Sequence, residues 1–157
     1  MNIKKQNIIV DKKKDGVVCL YFNRPEAKNA FNMETIIELK ENIKVLKNDN
    51  SVRILILTGM GNTFSSGADL KWMKSSKKLN LEDNKRDALI FVEMLKEIDE
   101  FPKPTLSIIN GHAFGGALGI IAVCDFSVAN IQAKFSFSEV KLGIIPAMIG
   151  PYILRSI

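Results

Sequence analysis

Two strand-like segments, the continuous apolar run at residues 54–57 and the β-rich stretch Thr-Leu-Ser-Ile-Ile at 105–109, constrain this chain most. Each stops at a turn signal, Thr58-Gly59 in the first and Asn110-Gly111 in the second. Each is followed by a glycine-rich loop that leads into helical sequence. The unbroken run at 54–57 suits a strand buried on both faces, as in parallel sheets, and 105–109 reads as its buried neighbour. Parallel strands need a crossover connection, and a helix usually supplies it. An α/β domain with parallel pairings is therefore expected.

The other segments fit that frame. Residues 8–10 and 17–22 flank a charged turn ending at Gly16 and read as a hairpin. Asn32 suits an N-cap, and Ile36, Leu39, Ile43 and Leu46 then recur at helical spacing. A second helix is predicted over 83–99, with Phe91, Val92, Leu95 and Ile98 on one face and Pro102 and Pro104 as its stop. Residues 61–67 read as a Gly/Ser loop, 115–123 as a short buried helix, and 126–129 and 135–137 as strands. Pro146 and Pro151 separate these from a final segment, 152–157. The chain stops at Ser156-Ile157 without a capping signal. A single domain over 1–157, incomplete at its C-terminus, is the expectation.

At 157 residues and 46% apolar composition, one domain can bury a sizeable core. The net charge of +5 comes from 22 basic and 17 acidic residues, with lysines grouped at 12–14 and at 71, 74, 77 and 78. Such a surface suits nucleic acid, an anionic membrane or a phosphorylated small molecule, or is simply solvated. No aromatic or arginine-rich motif accompanies the lysines, which disfavours nucleic acid. The longest apolar-or-glycine run, 113–124, is too short to span a bilayer. Cys19 and Cys124 form no CxxC pair and read as reduced core residues of a cytoplasmic protein. The N-terminus shows no apolar signal region.

Three segments could carry chemistry. Phe64-Ser65-Ser66-Gly67-Ala68-Asp69-Leu70 can bring backbone N–H groups to a ligand, or can be a plain turn with Asp69 capping the next helix. Asn110-Gly111-His112-Ala113-Phe114-Gly115-Gly116-Ala117-Leu118-Gly119 spends three glycines where a helix starts. Close packing or backbone exposure to a ligand would each explain that. It has neither the dinucleotide G-x-G-x-x-G spacing nor a following G-K-[ST]. In the third segment Glu139 stands in an apolar stretch, as a general acid or base or as a surface partner of Lys141. His112 is the only histidine, so a metal site is not expected. Without a G-x-S-x-G elbow a hydrolytic triad is not expected either. His112 reads as structural, and Trp72 with Met73 as a helix face or pocket wall.

Together these segments resemble the enoyl-CoA hydratase/isomerase (crotonase) superfamily. Asn23-Arg24-Pro25-Glu26-Ala27-Lys28-Asn29-Ala30-Phe31 is similar to its N-R-P-x-x-x-N-A-[LF] pattern, and 64–70 to F-x-x-G-A-D-[LI]. Residues 110–116 with Cys124-Asp125 are similar to N-G-x-A-x-G-G…C-D, and 135–146 to F-x-x-x-E-x-x-x-G-x-x-P. The glycines of 114–119 and the Ser138-to-Ala147 stretch most resemble bacterial methylglutaconyl-CoA hydratases, which act in leucine and acyclic-isoprenoid breakdown.

The resemblance implies a spiral of ββα units, here lacking the C-terminal helical region through which the family assembles trimers and hexamers. It implies that the N–H groups of Ala68 and Gly116 form an oxyanion hole and that Glu139 is catalytic. It places acyl-CoA contacts at Ala27, Lys28, Ser66, Gly67, Ala68, Asp69, Leu70, Lys71, Gly115 and Gly116. No cofactor is implied beyond the coenzyme A of the substrate, and no metal, nucleic acid or membrane. Many hydratases of the family use two glutamates, and the position of the first falls on Gly119. Three readings stay open: a hydratase of α,β-unsaturated thioesters, a Δ3-Δ2-enoyl-CoA isomerase working with one glutamate, and a non-catalytic acyl-CoA-binding or truncated inactive product.

Overall fold

The computed structural model describes residues 6–157. The hairpin is β1 (Ile8–Lys12) and β2 (Val17–Phe22), turned at Gly16 with φ +86°. Asn32 caps helix α1 (Met33–Lys47), its side-chain oxygen accepting from Thr35 N at 2.9 Å. Strand β3 (Ile54–Gly59) follows, then a short strand β4 (Thr63–Ser65) inside the stretch expected to be loop. Helix α2 (Leu70–Ser76) precedes α3 (Leu81–Asp99). The latter starts two residues earlier than predicted because Asn80, not a later residue, caps it through Asp83 N.

Strand β5 (Thr105–Ile109) and a second short strand, β6 (His112–Phe114), lead to α4 (Gly116–Val123). That helix begins one residue later than expected, with Gly115 as its N-cap. Strand β7 (Phe126–Ala129) is as predicted. Strand β8 stops at Phe135–Ser136 because Phe137 opens a 3-10 turn over Ser138–Leu142. Helix α5 (Gly150–Ser156) ends the chain.

The strands form two sheets. The first runs β1-β2-β3-β5-β7, antiparallel only between β1 and β2. The second, β4-β6-β8, is parallel throughout. The large sheet is not buried evenly on both faces, contrary to the expectation from its apolar runs. Val18, Leu20, Phe22, Leu55, Leu57 and Ile109 are buried together with Ile36, Leu39 and Ile43 of α1 and Met94, Leu95 and Ile98 of α3. Residues of opposite parity, such as Val17, Cys19, Ile54 and Ile56, are half-buried, and Ile108 is exposed. Cys19 is thus a wall residue of the open face and not a core residue, whereas Cys124 packs against the core.

Phe22 meets the rings of Phe31 and Phe64 edge-on, each at 5.3 Å. All three are almost fully buried, so they tie the first sheet to the segment before α1 and to β4. Emptying such a site typically costs about 3–5 kcal/mol. From β7 onward many apolar side chains face outward, among them Phe126, Val128, Ile131, Val140, Ile145 and Leu154. Among the described residues no helix is long and apolar enough to cross a membrane.

Candidate active site

The three-stranded sheet assembles the site. Each of its parallel strands delivers one candidate segment from its C-terminal end: Ser66–Asp69 after β4, Gly115–Gly116 after β6, and Ser138–Glu139 after β8. The register Ser65↔Ala113 and Ala113↔Phe135 sets the three ends side by side. The glycine-rich loops therefore leave β4 and β6, and not β3 and β5 directly as the sequence suggested.

Close backbone approach explains two of the glycines. Gly67 has φ +84°, and a Cβ there would stand 2.6 Å from the Phe114 carbonyl oxygen. Gly115 has φ +54°, and a Cβ there would stand 3.0 Å from Glu139 Oε1 and 3.3 Å from Ser138 Oγ. The first two loops touch at Gly67, and the third reaches the second at Gly115. Gly115 N donates to Ser136 O at 2.9 Å, which fixes that junction.

The direction of the Ala68 N–H follows from one hydrogen bond. Phe31 and Ala68 form an isolated parallel bridge. In it Phe31 N donates to Gly67 O at 2.8 Å, and Asp69 N donates to Phe31 O at 2.9 Å. The carbonyl of Gly67 and the N–H of Ala68 belong to the same planar trans peptide, so they point in opposite directions. With the carbonyl held by Phe31, the N–H is turned away from that segment. Among the described residues it meets no acceptor, and neither does Gly116 N at the first position of α4. A helix start leaves such donors unmatched.

A cavity of about 780 Å³ lies where the three segments meet. Of the expected site residues, Ala27, Lys28, Ser66, Ala68, Asp69, Leu70, Lys71, Gly115 and Glu139 line it. Gly67 and Gly116 do not. Gly67 is buried beneath the wall, and the Cα of Gly116 faces the Phe91 ring. Arg24, Phe114 and Leu142 also line the cavity. They were missed as site residues because nothing local marks them, although Arg24 lies inside the N-R-P segment.

Apart from Glu26, which also lines the cavity, the charges fall into three sets. Glu139 Oε2 is buried and has no hydrogen-bond partner among the described residues, and its carboxylate joins no ion pair there. The stretch around it is not its burial, since Val140, Leu142, Ile144 and Ile145 are exposed. Its carboxyl lies over Gly115, where the missing Cβ leaves room for it. Asp69 does cap α2, accepting from Lys71 N at 2.9 Å, and it also pairs with Arg24 at 2.9 Å. Burial opposes its charge. The Arg24 hydrogen bond and the two N–H groups of α2 outweigh that and hold its carboxyl below the usual value. Lys28, Lys71 and Lys141 stand exposed around the cavity, whereas Lys74, Lys77 and Lys78 lie outside its lining.

His112 is structural, as expected: its Nδ1 accepts from Lys134 N at 3.2 Å, and its ring stacks on Phe114. Trp72 lines a smaller cavity of about 400 Å³ beside Asn32 and Asp69. Among the described residues the large cavity thus combines the Ala68 N–H without an acceptor, Gly116 N at its border, the Glu139 carboxylate without a partner and three exposed lysines. Such a set can hold a developing oxyanion, move a proton and attract a polyanion.

The sequence pattern of the enoyl-CoA hydratase/isomerase family matches residues 12–157. The chain is 36% identical over 146 residues to a crotonyl-CoA hydratase of Syntrophomonas wolfei, covering 92% of this chain and 55% of that protein. It is 33% identical over 145 residues to a short-chain-enoyl-CoA hydratase of Clostridium acetobutylicum, covering 92% and 54%. The crystal structure of an enoyl-CoA hydratase from Shewanella pealeana superposes with a TM-score of 0.93 at 39% identity, over 97% of this chain and 57% of that one. The chain spans little more than half the length of the relatives it matches. Its α/β architecture is that of the crotonase-like structures, and the match over 12–157 places this chain in the enoyl-CoA hydratase/isomerase family.

Proposed function

We propose that the cavity is an acyl-CoA site of the hydratase type, adding water across the α,β double bond of an enoyl thioester. The observation that carries this reading is that Ala68, whose N–H meets no acceptor among the described residues, lines the same pocket as Glu139, whose carboxylate has no partner among them. Ala68 N and Gly116 N donate to the thioester oxygen. Glu139 takes a proton from water as the oxygen of that water bonds to the β-carbon. The double bond's electrons move to the thioester, giving an enolate whose charge rests on the oxygen between the two donors. A proton returned to the α-carbon completes the addition. Preorganised donors stabilise the enolate more than the ground-state carbonyl, and losing one typically costs about 3–4 kcal/mol of barrier. Lys28, Lys71 and Lys141 offer charge to the coenzyme A phosphates. The acyl group is short or branched, of the methylglutaconyl kind. The working form is a homotrimer or hexamer in the cytoplasm.

A second reading, Δ3-Δ2-enoyl isomerisation, is favoured by one observation. The position where the resemblance puts a further glutamate is Gly119, packed against Ile149 and Leu95 and absent from the cavity lining. One carboxylate suffices to carry a proton between two carbons. The test is loss of conjugated-thioester absorbance with a crotonyl-type and a branched enoyl-CoA, followed by product analysis. A hydroxyacyl product supports hydration, and a shifted double bond supports isomerisation. Binding without turnover indicates a non-catalytic acyl-CoA protein, and neither binding nor turnover overturns the site.

A further inference from the structure

The bridge that aims the Ala68 N–H is a single residue pair with two hydrogen bonds. Upstream, Ser66 N donates to Lys28 O at 3.0 Å and Ser65 Oγ to Asn29 O at 2.8 Å, so the two segments are joined before the pair but not beyond it. A guanidinium straddles it. Arg24 Nη1 donates to Ala30 O at 2.6 Å, and Nη2 donates to Asp69 Oδ2 at 2.9 Å. Ala30 immediately precedes Phe31, and Asp69 immediately follows Ala68. One side chain therefore fastens the residues on either side of the Phe31–Ala68 pair, adding to the Ser66 and Ser65 links upstream. Both partners are largely shielded, with side-chain exposures of 17% and 14%. Asp69 uses its other oxygen on Lys71 N, so the clamp also includes the start of α2.

The chain before the bridge is bent to permit this. Lys28 and Asn29 both have left-handed backbone, with φ 51° and 54°. Asn29 holds its bend by donating to Met60 O and Thr63 O, while its side-chain oxygen accepts from Arg24 N. Conformations of this kind persist where surrounding contacts over-determine them. Here the bend turns Arg24 back over the Phe31–Ala68 pair.

We propose that Arg24 and Asp69 are a positioning couple that fixes the Gly67–Ala68 peptide so that its N–H meets the substrate oxygen. The inference rests on the reading of Ala68 as an oxyanion donor. It separates Arg24 from the lysines of the rim: Arg24 lines the cavity yet spends its donors on the protein. Lysine cannot replace it, because one ammonium on a flexible stem does not reproduce a rigid two-pronged fork.

The test compares the parent chain with Arg24→Lys, Arg24→Gln, Asp69→Asn and the double variant Arg24→Gln/Asp69→Asn. Asparagine is as good an N-cap as aspartate, so Asp69→Asn removes the ion pair and keeps the cap. Two readouts are taken: amide hydrogen exchange at Phe31 and Asp69, the donors of the bridge, and steady-state kinetics on a crotonyl-type thioester. Each single variant is expected to speed exchange at both amides about tenfold while Leu55 and Leu57 in β3 keep their protection. The kcat is expected to fall about tenfold or more with KM nearly unchanged. The double variant is expected to be no worse than the worse single one. Unchanged protection at Phe31 and Asp69 would overturn the proposal, as would additive effects, or a raised KM at constant kcat, which would make Arg24 a substrate contact. A parent chain without turnover defeats the proposed function instead, and the exchange data still decide the clamp.

Discussion

A Cβ placed on Gly119 would stand 2.3 Å from Cγ2 of Ile149 and 3.3 Å from Cδ1 of Leu95. Gly119 is buried in α4, and Ile149 caps α5, so the two helices meet where residue 119 has no side chain. Gly119→Ala should therefore destabilise the fold by about 1–3 kcal/mol through overpacking. Helix propensity alone predicts the opposite sign, by about 1 kcal/mol. Gly119→Ala combined with Ile149→Ala should melt no lower than Ile149→Ala alone. Urea melts decide it, and a Gly119→Ala variant as stable as the parent would show that α5 yields freely.

Glu139→Gln keeps the shape of the side chain and removes its capacity to take a proton. Turnover should fall by about 10²–10⁴, with acyl-CoA affinity little changed. The contact with Gly115 survives the change, so the melting temperature should hold. Near-normal turnover in this variant would take Glu139 out of the mechanism.

Helices α1 and α3 were legible because their apolar residues recur at 3.6-residue spacing. The Asn32 cap marks the start of α1, whereas the Asn80 cap goes unread and the predicted start of α3 falls two residues late. Strands β4 and β6 were not. Three residues are too few to show a period, and Thr63, Ser65 and His112 carry no apolar signal. Yet those strands form the sheet that gathers the site. The cap by Asp69 was readable from local order, but its pairing with Arg24 joins residues 45 apart in the chain, and no local pattern records that. The motif segments named most of the cavity wall. They did not distinguish Gly115, which lines it, from Gly116, which only borders it.

Burial pushes the Cys124 thiol up to about 12, helped by the neighbouring Asp125 charge. The unfolded thiol titrates near its ordinary value of about 8.5. Between these values the unfolded chain loses a proton that the folded chain keeps, so stability falls as pH rises. Below about pH 8 this contribution is fully present. Cys124→Ala should flatten the alkaline decline in denaturant midpoints between about pH 8.5 and pH 10. In the folded parent, alkylation of Cys124 at pH 8 should be slow because little of the half-buried thiol is ionised. A Cys124 that reacts rapidly at pH 8 in folded protein would contradict the raised thiol.

Lys28, Lys71 and Lys141 surround the cavity, and coenzyme A is a polyanion. Raising ionic strength from about 0.01 M to about 0.1 M shortens the screening length from about 30 Å to about 10 Å, so CoA affinity should weaken. Lys71→Gln should weaken binding at low salt and reduce the salt slope, and Lys78→Gln, outside the lining, should change neither. Affinity that is flat with salt would exclude these lysines from recognition.

Gly116 is the donor that can be removed most cleanly. Its N–H has no acceptor among the described residues, so proline there breaks no hydrogen bond of the fold. It is the first residue of α4, where the fixed φ of proline is best tolerated. One contact opposes the change: a Cβ at 116 would stand 3.1 Å from Cζ of Phe91, so that ring must shift by a few tenths of an ångström. Gly116→Ala makes the same contact and keeps the N–H, which makes it the control. If Gly116 N stabilises the enolate, Gly116→Pro should lose at least about 10²-fold in turnover relative to Gly116→Ala, with equal circular dichroism and similar melting temperatures. If the two variants turn over alike, the oxygen is held by Ala68 alone and the two-donor site fails. If both collapse together, the Phe91 contact is responsible, and Phe91→Leu in each background relieves it and restores the comparison.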